Sequence, residues 1–212
     1  MSKPDRSPYS STQMAAWLRG LLTIALADGQ SDENEQQLIA RLIDEPDLHG
    51  EPIAAAELAA GLGNDPSVGE NFLRTAVMVA IADGSYSRSE ADKIQEFSAA
   101  LGLAPALLAA LSQAIEPSSV DRSAELHHSF LHALQDWLDR ADVHDVRLAR
   151  FLCRLIPAQC PFERDVNLLG HKIAHIPALC KLNPVYEQLV GLRFRALSYL
   201  ADECHEDVTR YC

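Results

Sequence analysis

The sequence predicts an all-α protein, a duplicated helical-hairpin bundle followed by a smaller helical C-terminal domain. Three observations carry this. Apolar residues recur at helical spacing through most of the chain, one stretch repeats at a constant offset of 55 residues, and all five cysteines fall between residues 153 and 212. A net charge of -12, from 18 Lys+Arg against 30 Asp+Glu, repels a phosphate backbone and argues against nucleic acid as a partner. The charge is uneven, with 7 basic and 17 acidic residues in 1–120.

Residues 1–11 are polar and contain two prolines, so they read as a disordered lead-in with no signal peptide. In the following helix Trp17, Leu18, Leu21, Leu22 and Ala25 keep one face, and Gly29 supplies a cheap left-handed stop. Residues 24–43 then align with 79–98: Ala27-Asp28-Gly29 with Ala82-Asp83-Gly84, Glu35 with Glu90, Ile39 with Ile94 and Leu42 with Phe97. The match extends upstream through Trp17 with Phe72, Leu18 with Leu73 and Leu22 with Val77. Such repetition argues for one packed domain over 12–116.

Asp32 with Glu35, and Ser87 with Glu90, fit the capping box, in which cap and third residue satisfy each other's free amides. That is a sufficient structural reason for the acidic repeat. A functional reading stands beside it: Asp28, Asp32, Glu33, Glu35, Asp83 and Glu90 would give an oxygen-rich site for a divalent cation if the hairpins pack about a pseudo-twofold. The strongest candidates are Asp28, Glu35, Asp83 and Glu90. An EF-hand is excluded, because Gly29 directly follows Asp28. The run Phe97 to Ile115 is uncharged, but Gly102 and Pro105 divide it into two buried helix pieces, so no transmembrane segment is expected.

These features, the Ala-Asp-Gly turn, a Glu six residues after the Gly, and duplication within an Ala- and Leu-rich helical region, resemble the tellurite-resistance TerB family over residues 12–116. The resemblance implies a compact helical cytoplasmic domain linked to metal or chemical stress, with acidic residues suspected of holding a cation.

Glu116-Pro117-Ser118-Ser119 opens a polar linker, 117–122, and the second domain covers 123–212. Leu126, Phe130, Leu131, Leu134, Trp137 and Leu138 define one helix; Val146, Leu148, Phe151, Leu152 and Leu155 define the next. His128 and His132, four apart on the first, read as a solvated histidine face rather than a metal pair.

With no export signal, the cysteines read as reduced thiols or metal ligands rather than disulfides. Cys153, among Phe151, Leu152 and Leu155, reads as a core residue. Cys160 precedes Pro161 at a helix start, Cys180 lies in a loop between Pro177 and Pro184, Cys204 ends a long helix and Cys212 is the last residue. Cys160, Cys180, Cys204 and Cys212 are therefore candidate ligands for zinc or an iron-sulfur cluster. His171 and His175, four apart on an expected short helical run, are lesser candidates. Against this, no Cys-x-x-Cys pair occurs. The last helix is expected from Val185 to Cys204, capped by Asn183, with Leu189, Leu192, Leu197 and Leu200 together with Tyr186, Phe194 and Tyr199 giving a broad apolar surface, and Arg193 and Arg195 pairing at the surface with Asp202 and Glu203.

The runs Ile156 to Asp165, Leu179-Cys180-Lys181-Leu182-Asn183-Pro184, Tyr186-Glu187-Gln188-Leu189, Leu192 to Leu197 and Tyr199 to Cys204 resemble the family called Mo-dependent nitrogenase C-terminal, over about residues 130–212. The resemblance implies a short helical domain of cyanobacterial type. The chain lacks the large parallel-sheet domains that hold nitrogenase clusters, so nitrogen reduction does not carry over.

Three functions follow as expectations. The first is a non-enzymatic cytoplasmic protein of metal or redox stress handling. The second is a metal-free scaffold whose C-terminal helix docks a protein partner. The third is a thiol redox switch at Cys160.

Overall fold

In the computed structural model the described residues are 7–27, 52–81, 86–103, 106–108, 124–156, 164–168, 171–176 and 185–211. They are helical apart from one hairpin. The helices are α1 (Ser11–Ala25), α2 (Ala55–Leu62), α3 (Pro66–Ala80), α4 (Arg88–Ala100), α5 (Ala124–Leu138), α6 (Val146–Leu155) and α7 (Tyr186–Ser198). A π-helical turn, Tyr199–Glu203, continues α7, and a 3-10 turn, Thr209–Tyr211, ends the described chain. No helix among the described residues is long and apolar enough to cross a membrane.

Local sequence explains where the first helices begin. Ser10 and Gln13 form a capping box at α1, and Asp65 accepts from the Ser67 amide while Pro66 takes the first position of α3. The capping box read from Ser87 and Glu90 starts α4. The Ser87 amide donates to Glu90 Oε2 at 2.8 Å and the Glu90 amide to Ser87 Oγ at 3.2 Å. Such caps contribute about 1 kcal/mol.

α1 is central. Met14, Trp17, Leu18, Leu21 and Leu22 form its main apolar stripe, and Ile24 and Gly20 are buried beside it. It packs on α2, α3, α4 and α6. Close approach to α2 depends on Gly61, where a Cβ would stand 2.5 Å from the Ala16 Cβ. From α3, Phe72 meets Trp17 edge-on with ring centroids 5.8 Å apart, and Trp17 Nε1 donates to the Thr75 hydroxyl at 3.2 Å. Phe97 from α4 reaches Phe72 from the other side at 5.9 Å. α1 and α3 have 15 residues each and begin 55 residues apart, the offset at which the sequence aligns with itself.

The C-terminal helices pack onto this bundle and share its apolar core. Asn71 on α3 makes two bonds to the backbone of Asp142, donating from Nδ2 to its carbonyl at 3.0 Å and accepting from its amide at 2.9 Å. The Arg74 guanidinium lies 5.5 Å from the Trp137 ring centre. Asp145 starts α6 from a fully buried position, accepting the amides of Arg147 and Leu148 at 2.8 and 3.2 Å and the Arg147 guanidinium at 3.0 Å.

The hairpin corrects one expectation. β1 (Arg164–Leu168) and β2 (His171–Ile176) are antiparallel, with Asp165 opposite His175, Leu168 opposite His171 and an irregularity at Val166/Asn167. His171 and His175 are therefore on a strand, not on a helical run. The sequence held only a partial signal: β-branched Val166, Ile173 and Ile176 suit strands and only Leu169-Gly170 separates the two segments, but His171-Lys172-Ile173-Ala174-His175-Ile176 does not alternate polar and apolar residues.

Candidate functional site

Most of the candidate ligands lie outside the described residues. That holds for Cys160, Cys180 and Cys212 of the thiol set, for Asp28, Glu35 and Asp83 of the acidic set, and for Asp32 and Glu33. Among the described residues, no group of three or more His, Cys, Asp or Glu is placed to hold a metal ion.

The described candidates sit as follows. Glu90 is buried and serves as half of the α4 cap. Burial, together with the Glu90 and Asp92 carboxylates, pushes the neighbouring Tyr86 phenol well above its usual range. His171 and His175 are separated along β2 by about 13 Å, at the strand rise per residue, where a helix would place positions four apart about 6 Å from each other. Cys204 is partly exposed, directly after the π-helical turn, and its amide donates to the Tyr199 carbonyl at 3.1 Å. Cys153 is buried on α6, as its apolar neighbours require. His132 is exposed on α5.

α7 has two contrasting faces. Its inner face, Leu189, Leu192, Arg193, Ala196 and then Leu200, is buried against α6. Arg193 belongs to that face, contrary to the expected surface pairing. Position 193 follows 189 by one turn, so its guanidinium is carried inward, where Nη1 donates to the Cys153 carbonyl at 3.1 Å and Nη2 to the Tyr211 carbonyl. This ties the chain end to α6. Glu206 adds a second tie, to Arg150 at 2.8 Å and to Arg210. Burial raises the Glu206 carboxyl pKa, but bonds and charge from the two guanidiniums outweigh it and hold the group below the ordinary range.

The outer face of α7 is unusual in composition. Among the described residues the exposed large apolar side chains are Val190, at 45% exposure, and Phe194, at 68%, four apart on this face. Gly191 stands between them, and exposed Glu187 lies one turn before it. Arg195 lies back over the glycine, with Nη1 3.8 Å from where a Cβ would be. Its Nε and Nη2 are buried and donate to no acceptor among the described residues. So Arg195 does not form the expected surface pair either. Sequence periodicity counted Phe194 with the apolar side of the helix, and only its angular position against Leu192 and Ala196 reveals that it faces outward.

The arrangement offers a helix face with an apolar centre and charged ends, suited to binding another surface. No curated protein and no solved structure matches the chain. The helix that carries this face lies in the part of the chain that is similar to a known family, residues 130–212 matching the model described as Mo-dependent nitrogenase C-terminus.

Proposed function

We propose that the chain is a non-enzymatic helical scaffold that docks a protein through the outer face of α7. The observation that carries this reading is the pairing of Val190 and Phe194 in solvent on a helix whose opposite face is fully engaged. Exposing a Phe costs solubility, and a stable fold gains nothing from it there. The test is a photo-crosslinking residue at position 194 of the full chain, with Ala99, exposed on α4, as the control position. Discrete crosslinks at 194 and none at 99 are expected. Equal, diffuse labelling at both would sink the docking reading.

A second reading keeps the thiols as a zinc or iron-sulfur site built from Cys160, Cys180, Cys204 and Cys212. It draws support from Cys204, partly exposed at a helix end where ligands from separate loops can meet. Protein purified without oxygen should then carry stoichiometric zinc or iron. Cys204→Ser should lower both metal content and thermal stability, because metal binding is coupled to folding. Metal-free, fully folded protein removes this reading.

The TerB-like character of the first half, its divalent-cation site, the cytoplasmic setting, the cyanobacterial type and a role in stress handling belong to the same proposal. The equal lengths of α1 and α3 and the contact between Trp17 and Phe72, positions equivalent under the repeat, support the duplication.

A further inference from the structure

The glycines of this fold differ in what they make room for. At Gly20, Gly61 and Gly69 a Cβ would meet another side chain of the chain at 2.8, 2.5 and 2.8 Å, so each absence of a side chain is explained by internal packing. Among the described residues Gly191 has no such reason. It sits mid-helix in α7, where glycine costs about 1 kcal/mol relative to alanine, and a Cβ there would meet only Arg195 Nη1, at an ordinary 3.8 Å. Among the described residues nothing else uses the space.

The residues around Gly191 are self-complementary under a twofold axis. Glu187 lies four residues before it and Arg195 four residues after, each about 6 Å along the helix axis. Two such helices laid antiparallel, with their Gly191 residues at the crossing, put Glu187 of each level with Arg195 of the other. Phe194 of one copy then falls between Val190 and Glu187 of the other. The missing Cβ allows the two backbones to approach to the short end of the usual 8–10 Å interaxial range. The half-buried Arg195 and the exposed Glu187 of one copy each then face the opposite charge of the other. A symmetric dimer uses the same patch twice, which is the property this stripe has.

We infer that α7 pairs antiparallel with α7 of a second copy of this chain about Gly191, so that the occupant of the docking face is the protein itself. The inference rests on the docking reading above and narrows it.

The test is sedimentation of the full chain across a concentration series, with three sets of variants. The wild type should pass from monomer to dimer. Gly191→Leu should weaken the dimer at least tenfold while leaving the melting temperature of the monomer unchanged or raised, since leucine is the better helix former. Phe194→Asp should do the same. Glu187→Arg and Arg195→Glu should each weaken self-association, and the two together should restore it, a result that misfolding does not produce. A wild type that stays monomeric at all concentrations overturns the inference, and so does a dimer indifferent to Gly191→Leu and Phe194→Asp. If that monomer still gives discrete crosslinks from position 194 to another protein, self-pairing has failed and the docking reading survives. If it gives none, both have failed.

Discussion

Replacing Phe72 with alanine is expected to cost about 3–5 kcal/mol, a large fraction of the about 5–15 kcal/mol that holds a domain together. The ring is fully buried between Trp17 and Phe97, and it lies 2.8 Å from where a Gly20 Cβ would stand. Its removal leaves a cavity at the contact of three helices, which α1, held by α2 on another side, has little freedom to fill. Urea unfolding followed by tryptophan fluorescence checks this, since Trp17 and Trp137 are the two tryptophans of the chain. A loss below about 1 kcal/mol would mean that the three helices collapse freely onto the site, and this account of the core would be wrong.

The second large effect is expected at Asp145. Asp145→Ala removes the acceptor of two helix-start amides and of the Arg147 guanidinium at a fully buried position, for a cost of about 3 kcal/mol. Arg147 is itself partly exposed and recovers some hydration, which keeps the figure at the low end of the range for broken buried pairs. Burial raises the Asp145 pKa, but hydrogen bonds from Arg147 and Ser7 and the Arg147 charge more than offset it, so the folded value lies below the ordinary one. A depressed folded pKa contributes stability that is present above the unfolded value, about 3.9, and is lost as pH falls through the folded value. The stability gap between wild type and Asp145→Ala should therefore be full at neutral pH and narrow in acid. A gap that stays constant down to pH 2 would contradict the assigned charge.

The helices were legible in the sequence where the cause was local. Ser87 and Glu90 announced the start of α4 because a capping box is written in four residues, and Trp17 and Phe72 were matched because the repeat preserves their positions. Cys153 was legible as core from its neighbours. What tertiary packing decides was not. Asp145, a cap buried by the bundle, looks in sequence like any other acidic residue before a helix. Asn183 was expected to cap the last helix, which instead begins at Tyr186 with Val185 before it and no side-chain cap. Arg193 and Arg195 are two residues apart, yet one is buried with carbonyl partners and the other lies over a glycine, with two donors that find no acceptor among the described residues. Only the angle at which α7 seats against α6 separates them. For the thiol and acidic sites the described residues reach Cys204, Glu90 and the two strand histidines alone, so convergence of those sets lies outside what the fold addresses.

The π-helical turn after α7 gives the chain end a property that composition alone does not have. Bonds of the type made from Cys204 to Tyr199 span five residues instead of four, so Tyr199–Glu203 amounts to an α-helix carrying one surplus residue. Each residue of an α-helix turns the chain by about 100°, so that surplus sets the rotational phase of all that follows it. Taking one residue out would let the helix run on smoothly while swinging Glu206 away from Arg150 and the Tyr211 carbonyl away from Arg193. In this segment the number of residues fixes the contacts as much as their identity does, and a single-codon deletion should cost both ties at once.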